Sequence, residues 1–215
     1  MFVRDIMTTN VVTIPSNTPV ADAGEIMRVH KIERLPVVDK GQLVGIVTKE
    51  KLLRVSPSPT KSMSIIELTY LLSKMAVKDI MIKDVVTASP DMTAEKAVAL
   101  AQDRKVGALP VLDDGKIVGI VTTNDFFYKI LNPLLGIGEP GVRIKVHGCT
   151  GANDILKVME AISEYDISIK TVGYIPHPDH GIRDLTIHID AKDEIINKIV
   201  DKLNNLGYLI QVRER

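Results

Sequence analysis

The 215-residue chain is long enough for one large domain or for two to three small ones. Its 27 acidic and 27 basic residues cancel to a formal net charge of zero, which argues against a nucleic-acid binder that depends on bulk electrostatics. Apolar residues make up 45% of the chain, aromatic residues only 4%, and tryptophan is absent, so we expect a globular protein without base-stacking platforms.

Cysteine usage and hydropathy indicate where the protein works. Cys149 is the single cysteine, so no intrachain disulfide framework is possible, as suits a reducing cytoplasm. No apolar run approaches the roughly 18 to 20 residues of a transmembrane helix, and the segment 1–5 lacks the apolar core of a signal peptide. We therefore expect a cytoplasmic protein that binds neither membrane nor nucleic acid.

A gapless internal repeat is the main feature of the sequence, because residues 3–54 align with residues 77–128 at an offset of 74 (77 minus 3). Both copies contain Asp-Ile-Met, then Leu-Pro-Val, then Gly-Ile-Val-Thr, in the same order and at the same spacing. A unit of this size does not bury its apolar face alone. We expect the two copies to pack about a pseudo-twofold axis and to form two equivalent clefts between them.

Each copy is predicted to run β-α-β-β-α. Thr18 before Pro19 is typical of a helix start, with the threonine as N-cap and the proline as the first helical residue. Gly41 lies where a hairpin turn needs a positive φ. In the first copy the predicted elements are a strand at 11–14, a helix running through 20–30, strands at 35–38 and 43–47 around a turn at 39–42, and a helix opened by Thr48.

The rest of the chain divides at two proline-containing segments. The loop 56–60 joins the copies, and a helix over 64–75 leads into the second copy. After the Gly- and Pro-rich segment 132–141 the pattern predicts β-α-β-β-α-β, a ferredoxin-like order over about 75 residues. The predicted domains are 1–60, 61–131 and 140–215, and the elements of the last are strand 142–146, helix 153–164, strands 167–172 and 182–189, helix 191–206 and strand 208–212.

The doubled unit resembles a tandem pair of CBS domains, on its Asp-Ile-Met opening, its Leu-Pro-Val-Val/Leu-Asp segment and its Gly-Ile-Val-Thr-x-x-Asp/Lys ending. The segment 140–215 resembles an ACT domain in the order of its elements and in the turn 148–151, and the whole is similar to CBS–CBS–ACT proteins linked to acetoin utilisation. The resemblance implies an α+β fold, with a pseudo-twofold tandem CBS repeat (a Bateman module) followed by a ferredoxin-like ACT-like domain. It also implies a regulatory module that binds an adenine nucleotide or related adenosyl ligand between the repeats.

Thr122 and Asp125 are the leading candidates for binding that ligand. In the family pattern Gly-φ-x-Thr/Ser-x-x-Asp, the aspartate holds the ribose hydroxyls and the threonine faces the ligand near its phosphate. An ionised carboxylate accepts the two hydrogen bonds that vicinal hydroxyls donate, and a helix start offers free N–H groups to a phosphate. The same Thr-x-x-Asp pattern is also that of a helix capping box, which is the competing structural interpretation.

The two sites are predicted to be unequal, because Lys51 stands in the first copy where Asp125 stands in the second. A lysine cannot accept hydrogen bonds from ribose, so the first site is empty, binds differently or offers Lys51 to a phosphate. Arg34, which aligns with Ala108, is either a bidentate phosphate clamp or an exposed surface arginine. The stronger nucleotide site is predicted from Thr87, Ala88, Ala108, Leu109, Pro110, Thr122, Asp125 and Arg34, and the weaker one from Thr13, Leu35, Pro36, Thr48 and Lys51.

Other reactive residues are interpreted as structural. Met7 and Met81 are expected to fill gaps in packing, and Cys149 is expected to be a small packed residue without a base to activate it. The histidines at 177–180 are too loosely spaced for ligands, so no metal site is predicted. A weak effector site in the ACT-like domain is predicted from Gly148, Gly151 and Asn153, while capping alone also explains Asn153 and Asp154.

The sequence therefore predicts a non-catalytic regulatory protein, since it contains no Gly-rich phosphate loop, nucleophile elbow or convincing acid–base pair. The expected effector is AMP, ADP, ATP or S-adenosylmethionine, and the ACT-like domain is expected to serve assembly or a second effector. A homodimer that acts on an unidentified regulated protein is expected. Two alternatives stay open: an assembly scaffold without a small-molecule ligand, and a transcription-linked regulator.

Overall fold

The computed structural model describes residues 1–55, 74–176 and 183–214. The chain divides into two compact units, Met1–Phe126 and Phe127–Arg215. The predicted loop 56–60, nearly all of the predicted helix 64–75 and the histidine segment 177–180 lie outside the described residues.

The unit Met1–Phe126 contains both copies of the repeat, each with an antiparallel hairpin between helices. This order confirms the predicted elements except for the first strand. In the first copy the elements are α1 (Val3–Ile6), α2 (Val20–His30), β1 (Arg34–Asp39), β2 (Gln42–Thr48) and α3 (Lys49–Val55). In the second copy they are a 3₁₀ helix (Val77–Asp79), α4 (Ala94–Asp103), β3 (Ala108–Asp113), β4 (Lys116–Thr122) and α5 (Thr123–Phe126).

The two hairpins have the same two-residue turn. Lys40 and Gly41 have φ of 49° and 80°, and Asp114 and Gly115 have φ of 47° and 76°. Positive φ at both central residues gives the primed turn, whose twist matches that of the paired strands. The prediction of a positive φ at Gly41 is confirmed, and the same conformation extends to the residue before it.

The strand predicted at 11–14 is wrong, because only Ile14 pairs, in a single parallel bridge to Val37. The Ile14 amide donates to the Pro36 carbonyl at 3.1 Å. Extending this ladder toward residue 12 would require the N–H of Pro36, which proline lacks.

The predicted start of the first long helix is also displaced. α2 begins at Val20, and Pro19 is its N-cap with ψ of 142°, so the predicted N-cap Thr18 lies one residue too early. Tertiary pairing explains the shift, because Pro19 bridges Ala76 and the Val20 amide donates to the Met75 carbonyl at 2.9 Å. Backbone pairing with the residues just before the second copy therefore holds Pro19 in an extended conformation.

Backbone bridges related by the offset of the repeat join the two copies. Thr8 pairs with Ile120, and Ile46 pairs with Ile82. The segment after each Asp-Ile-Met opening thus lies against the second hairpin strand of the other copy. These equivalent contacts are those of pseudo-twofold packing.

Methionine side chains fill the space above a glycine in each of these contacts. A Cβ on Gly119 would lie 2.4 Å from the Met7 Sδ, and a Cβ on Gly45 would lie 2.5 Å from the Met81 Sδ. Each methionine comes from one copy and each glycine from the other, so the predicted gap-filling role of the two methionines is confirmed at the junction of the copies.

The unit Phe127–Arg215 has the predicted β-α-β-β-α-β order. A π-helix (Phe127–Leu131) and α6 (Asn132–Leu134) precede β5 (Val142–Cys149), α7 (Ala152–Ser163), β6 (Ser168–Pro176), β7 (Arg183–Asp190), α8 (Asp193–Asn205) and β8 (Leu209–Glu214). The strands form one antiparallel sheet in the order β6-β7-β5-β8, a ferredoxin-like arrangement. Val158, Ile187 and Leu203 are fully buried in the core shared by helices and sheet.

Across the described segments of both units, no helix combines the length and the apolar character needed to cross a membrane.

Candidate functional site

Two clefts of similar size lie at equivalent places in the unit Met1–Phe126. One measures about 570 Å³ and contains Asp125, and the other measures about 590 Å³ and contains Lys51. The Asp125 cleft is lined by Thr8, Asn10, Val11, Val12, Lys31, Ile32, Glu33, Arg34, Pro36, Ile120, Thr122, Thr123, Asn124 and Asp125. The Lys51 cleft is lined by Glu33, Arg34, Ile46, Thr48, Lys49, Glu50, Lys51, Leu53, Arg54, Ile82, Asp84, Val85, Val86, Lys105, Val106, Gly107 and Ala108.

Each cleft combines residues of both copies, as the repeat predicts, but the assignment of wall residues to the two clefts differs from the prediction. The Asp125 cleft takes its helix start from the second copy and its apolar wall from the first. Ala108, predicted beside Asp125, lines the Lys51 cleft, whereas Pro36, predicted beside Lys51, lines the Asp125 cleft. The backbone bridges cause this exchange, because they place the early segment of each copy against the last hairpin strand of the other.

Several predicted wall residues lie outside both clefts. Leu35 and Leu109 are packed in the core at 0% and 1% exposure, because alternate residues of a strand face opposite sides. Thr13 is exposed beside the bridge at Ile14. The predicted residues that line neither cleft are Thr13, Leu35, Thr87, Ala88, Leu109 and Pro110.

Asp125 lies at the start of α5 and is 9% exposed. Its Oδ2 accepts hydrogen bonds from the amide of Thr122 at 2.8 Å and from the Thr122 hydroxyl at 2.8 Å. These bonds are those of a helix cap, so the capping interpretation describes the geometry. A carboxylate offers about four acceptor sites, so a carboxylate that caps a helix can also accept hydrogen bonds from vicinal hydroxyls.

Thr122 lines the cleft, and its hydroxyl donates a hydrogen bond to the Asp125 carboxylate. Thr123 lines the same cleft, and its Oγ1 donates to the Gly107 carbonyl at 3.3 Å. Asn124, also in the cleft, is exposed and carries an amide donor. Thr122, Thr123 and Asn124 thus place polar side chains in the cleft beside Asp125.

The Lys51 cleft is similar in volume to the Asp125 cleft and has Lys51 at the position of the Asp125 carboxylate. Thr48 Oγ1 accepts from the Lys51 amide at 3.2 Å, the reverse of the second copy, where Thr122 donates to Asp125. In the part of the chain that the structure describes, the half-buried Lys51 side chain forms no ion pair. Of the described residues, five cationic and three anionic ones line this cleft, against two and two in the Asp125 cleft.

Arg34 lines both clefts. It is half-buried rather than an exposed surface arginine, and a Cβ on Gly107 would lie 2.4 Å from its Nη2. The guanidinium therefore packs against the Gly107 backbone, in the space that the missing side chain leaves.

Sequence reasoning missed apolar residues that line the Asp125 cleft, among them Val11, Val12 and Ile32. Residues 11 and 12 were interpreted as part of a strand. The repeat itself carries the signal, because the aligned residues Val85 and Val86 line the other cleft in the same way.

The turn between β5 and α7 holds the predicted effector residues of the second unit. Gly148 has φ of 76°, Gly151 is the N-cap residue of α7, and Asn153 is exposed. Cys149 between them is fully buried, and burial raises the pKa of its thiol, which fits its predicted packing role. Within the described ranges, no group of three or more His, Cys, Asp or Glu side chains is placed to hold a metal ion.

Asp154 caps the same helix by several hydrogen bonds. Its Oδ2 accepts from the Thr150 amide at 2.7 Å and from the Thr150 hydroxyl at 2.8 Å, and its Oδ1 accepts from the Tyr208 hydroxyl at 2.8 Å. These bonds, led by that from the Thr150 amide, lower the pKa of Asp154 from 3.8 to about 2. Burial, followed by the bond to Asp154, raises the pKa of Tyr208 to about 12.

The acid stability of the second unit is expected to depend on Asp154. Because its folded-state pKa lies below its ordinary value, Asp154 stabilises the fold fully above about pH 4 and loses this contribution as the pH falls toward about 2. Asp154→Asn should therefore lower the free energy of unfolding at pH 6 and leave it nearly unchanged at pH 2, as measured by urea unfolding at each pH. Tyr208→Phe, which removes one of the three bonds, should give a smaller loss. Equal losses for Asp154→Asn at both pH values would contradict the prediction.

Two equivalent repeats with a ligand-sized cleft at each junction define a paired binding module. The family model of the CBS domain matches residues 3–58 and 77–132, one match for each copy. The chain belongs to the CBS-domain family, and the resemblance predicted for the repeats is confirmed.

Relatives of known sequence and structure match mainly through this module. An inosine-5'-monophosphate dehydrogenase of Korarchaeum cryptofilum is 31% identical over 166 residues, which are 77% of this chain but only 32% of the dehydrogenase. The structure of CBSX2 in complex with AMP is 32% identical with a TM-score of 0.51, covering 61% of this chain and 96% of CBSX2. A Vibrio cholerae protein named for acetoin utilization (AcuB) is 28% identical with a TM-score of 0.53, covering 65% of this chain and 96% of that one.

Proposed function

We propose that the chain is a non-catalytic regulatory protein that binds an adenosine-containing effector (AMP, ADP, ATP or S-adenosylmethionine) in the Asp125 cleft. The observation that carries this proposal is the Asp125 carboxylate, 9% exposed in a cleft of about 570 Å³. A carboxylate in such a position pairs well with the two adjacent hydroxyls of a ribose. The complex of the 32% identical CBSX2 with AMP supports an adenine nucleotide as the ligand.

The remaining groups of the cleft suit the rest of a nucleotide. Val11, Val12 and Ile32 are half-buried apolar side chains against which an adenine base can lie. Arg34 presents a planar fork of donors that matches a phosphate. Base and ribose are common to all four candidate effectors, so discrimination among them falls to Arg34 and Asn124 at the other end of the ligand.

The two clefts bind unequally in this proposal. Lys51 supplies no acceptor for ribose hydroxyls, and Asp125 does. The Asp125 cleft is therefore the nucleoside-recognising site, in line with the sequence prediction. No dehydrogenase activity is inferred from the Korarchaeum relative, because the chain spans 32% of its length.

The second unit is proposed to be an ACT-like domain that assembles a cytoplasmic homodimer or binds a second effector at Gly148, Gly151 and Asn153. Its ferredoxin-like strand order supports the domain type. The likeness to AcuB supports a link to acetoin utilisation. An open sheet edge that exposes apolar side chains favours pairing with a second copy. On the edge strand β6 three apolar residues are at least 38% exposed, namely Ile169, Val172 and Ile175.

A thermal-shift panel tests the proposed effector class. A ligand that binds only the folded chain stabilises it by about 2.7 kcal/mol at a hundredfold excess over its dissociation constant. We expect adenosine, AMP, ADP, ATP or S-adenosylmethionine to raise the melting temperature, and GMP and CMP to have little effect. No shift with any adenosine ligand would favour a scaffold without a ligand. Chemical conversion of a bound nucleotide, detected by chromatography, would contradict a non-catalytic protein.

A further inference from the structure

Arg34 lines both the Asp125 cleft and the Lys51 cleft. Its guanidinium packs against Gly107, which lines the Lys51 cleft, and Gly107 is also bonded to Thr123, which lines the Asp125 cleft. The aligned residue of the other copy is Ala108, so the repeat carries an arginine at this position in one copy only. Among the described residues, Glu33 is the one other residue that lines both clefts.

The guanidinium of Arg34 has no anionic partner of its own among the residues that the structure describes. It takes part in no hydrogen bond or ion pair there, although the side chain is half-buried. The neighbouring carboxylate of Glu33 faces another cation, because the Lys49 Nζ lies 3.7 Å from its Oε1. A half-buried guanidinium without an anion is suited to receive one from a ligand.

The Lys51 cleft offers a second cation to the same anion. Lys51 is half-buried and free of ion pairs within the described chain, and it stands where the other copy has the ribose-binding carboxylate. The surplus of cations along this cleft, five against three, favours a ligand with several negative charges. Such a ligand needs no ribose.

We propose that the Lys51 cleft binds an oligophosphate group through Lys51 and Arg34, and that Arg34 is shared with the phosphate of a nucleotide in the Asp125 cleft, so that the two ligands antagonise each other. This inference rests on the proposed nucleotide site. One guanidinium cannot engage both anions in its best geometry, and any effect of one ligand on the affinity of the other is reciprocal.

Titration calorimetry with inorganic tripolyphosphate, AMP and adenosine on the full chain, at fixed low ionic strength, tests the inference. Saturating tripolyphosphate should raise the dissociation constant of AMP about tenfold and leave that of adenosine, which has no phosphate, unchanged. Arg34→Ala installs the residue found at the aligned position 108 and should abolish the antagonism. Arg34→Lys keeps the charge without the fork and serves as the second variant if the alanine variant misfolds.

Lys51→Ala separates sharing from direct competition, because Lys51 does not line the Asp125 cleft. The substitution should weaken tripolyphosphate binding at least about tenfold and keep the dissociation constant of AMP within about twofold of the wild-type value. It should also remove the antagonism between the two ligands. Unchanged antagonism in Lys51→Ala would mean that tripolyphosphate enters the Asp125 cleft itself, and would overturn the inference. An AMP affinity that tripolyphosphate leaves unaltered, or the absence of tripolyphosphate binding, would overturn it as well.

The two proposals fail in different ways. If neither AMP nor adenosine binds the wild-type chain, the proposed nucleotide function fails. Tripolyphosphate binding that is lost in both Lys51→Ala and Arg34→Ala would then still support the anion site, and binding that survives both substitutions would refute it.

Discussion

Asp125→Ala is expected to weaken the binding of AMP and of adenosine by at least about 30-fold. Hydrogen bonds to a charged group contribute about 1.5–3 kcal/mol each, and a loss of about 2 kcal/mol corresponds to roughly 30-fold in the dissociation constant. The ribose is common to both ligands, so both should lose affinity alike. Titration calorimetry with the two ligands, on wild type and variant, measures this directly.

The same substitution also removes a helix cap, and Asp79→Ala is the matched control. The Asp79 Oδ2 accepts from the amide of Ala76, three residues earlier, at 3.0 Å, just as Asp125 accepts from Thr122. Each substitution should lower the free energy of unfolding by about 1 kcal/mol. Only Asp125→Ala should weaken the binding of AMP, because Asp79 lines neither cleft. If Asp125→Ala binds AMP with unaltered affinity, Asp125 serves only as a helix cap and does not bind the ligand.

Gly119→Ala is expected to destabilise the module by about 2 kcal/mol, because overpacking a tight contact has a cost of this order. The new Cβ would lie 2.4 Å from the Met7 Sδ and 3.2 Å from the Thr8 carbonyl oxygen. The methionine can move aside, but the Thr8 backbone is held by its bridge to Ile120. Urea unfolding of the full chain, followed by circular dichroism, measures the loss.

Gly24→Ala makes the same chemical change where the structure leaves room. Gly24 lies inside α2, and a Cβ there would meet only the Leu52 Cδ1, at 4.0 Å. Replacing an interior helical glycine by alanine should stabilise by about 0.5–1 kcal/mol. The two glycine substitutions are therefore expected to shift stability in opposite directions. A neutral Gly119→Ala would show that the contact between the copies is looser than its distances imply.

Most of the fold could be predicted because its determinants are local or repeated. The hairpins follow from the turn at Lys40 and Gly41, whose positive φ values suit a primed turn. The β-α-β-β-α-β order of the second unit follows from alternation and helical periodicity. The prediction of a strand at 11–14 is wrong for a non-local reason. The segment lies beside β1, where Pro36 has no N–H to donate to a longer ladder.

The candidate site was predictable by residue type and only partly by arrangement. Thr122, Asp125 and Arg34 do line one cleft, as the sequence predicted. Ala108 and Pro36 each line the cleft opposite to the predicted one, because the repeat predicts clefts between the copies but not which wall of one copy faces which helix start of the other. The Thr122 hydroxyl also donates a hydrogen bond to the Asp125 carboxylate three residues later, a contact that only the structure shows.

By itself, the sequence determined that the chain contains two equivalent units, that one carries a carboxylate and the other Lys51 at the same point, and that a ferredoxin-like order follows them. These properties depend on residue identity and short spacings. Only the tertiary structure decided which wall faces which helix start and that Arg34 lines both clefts. The backbone bridges Thr8–Ile120 and Ile46–Ile82 make that choice. They join residues far apart in the chain, where local spacing carries no information.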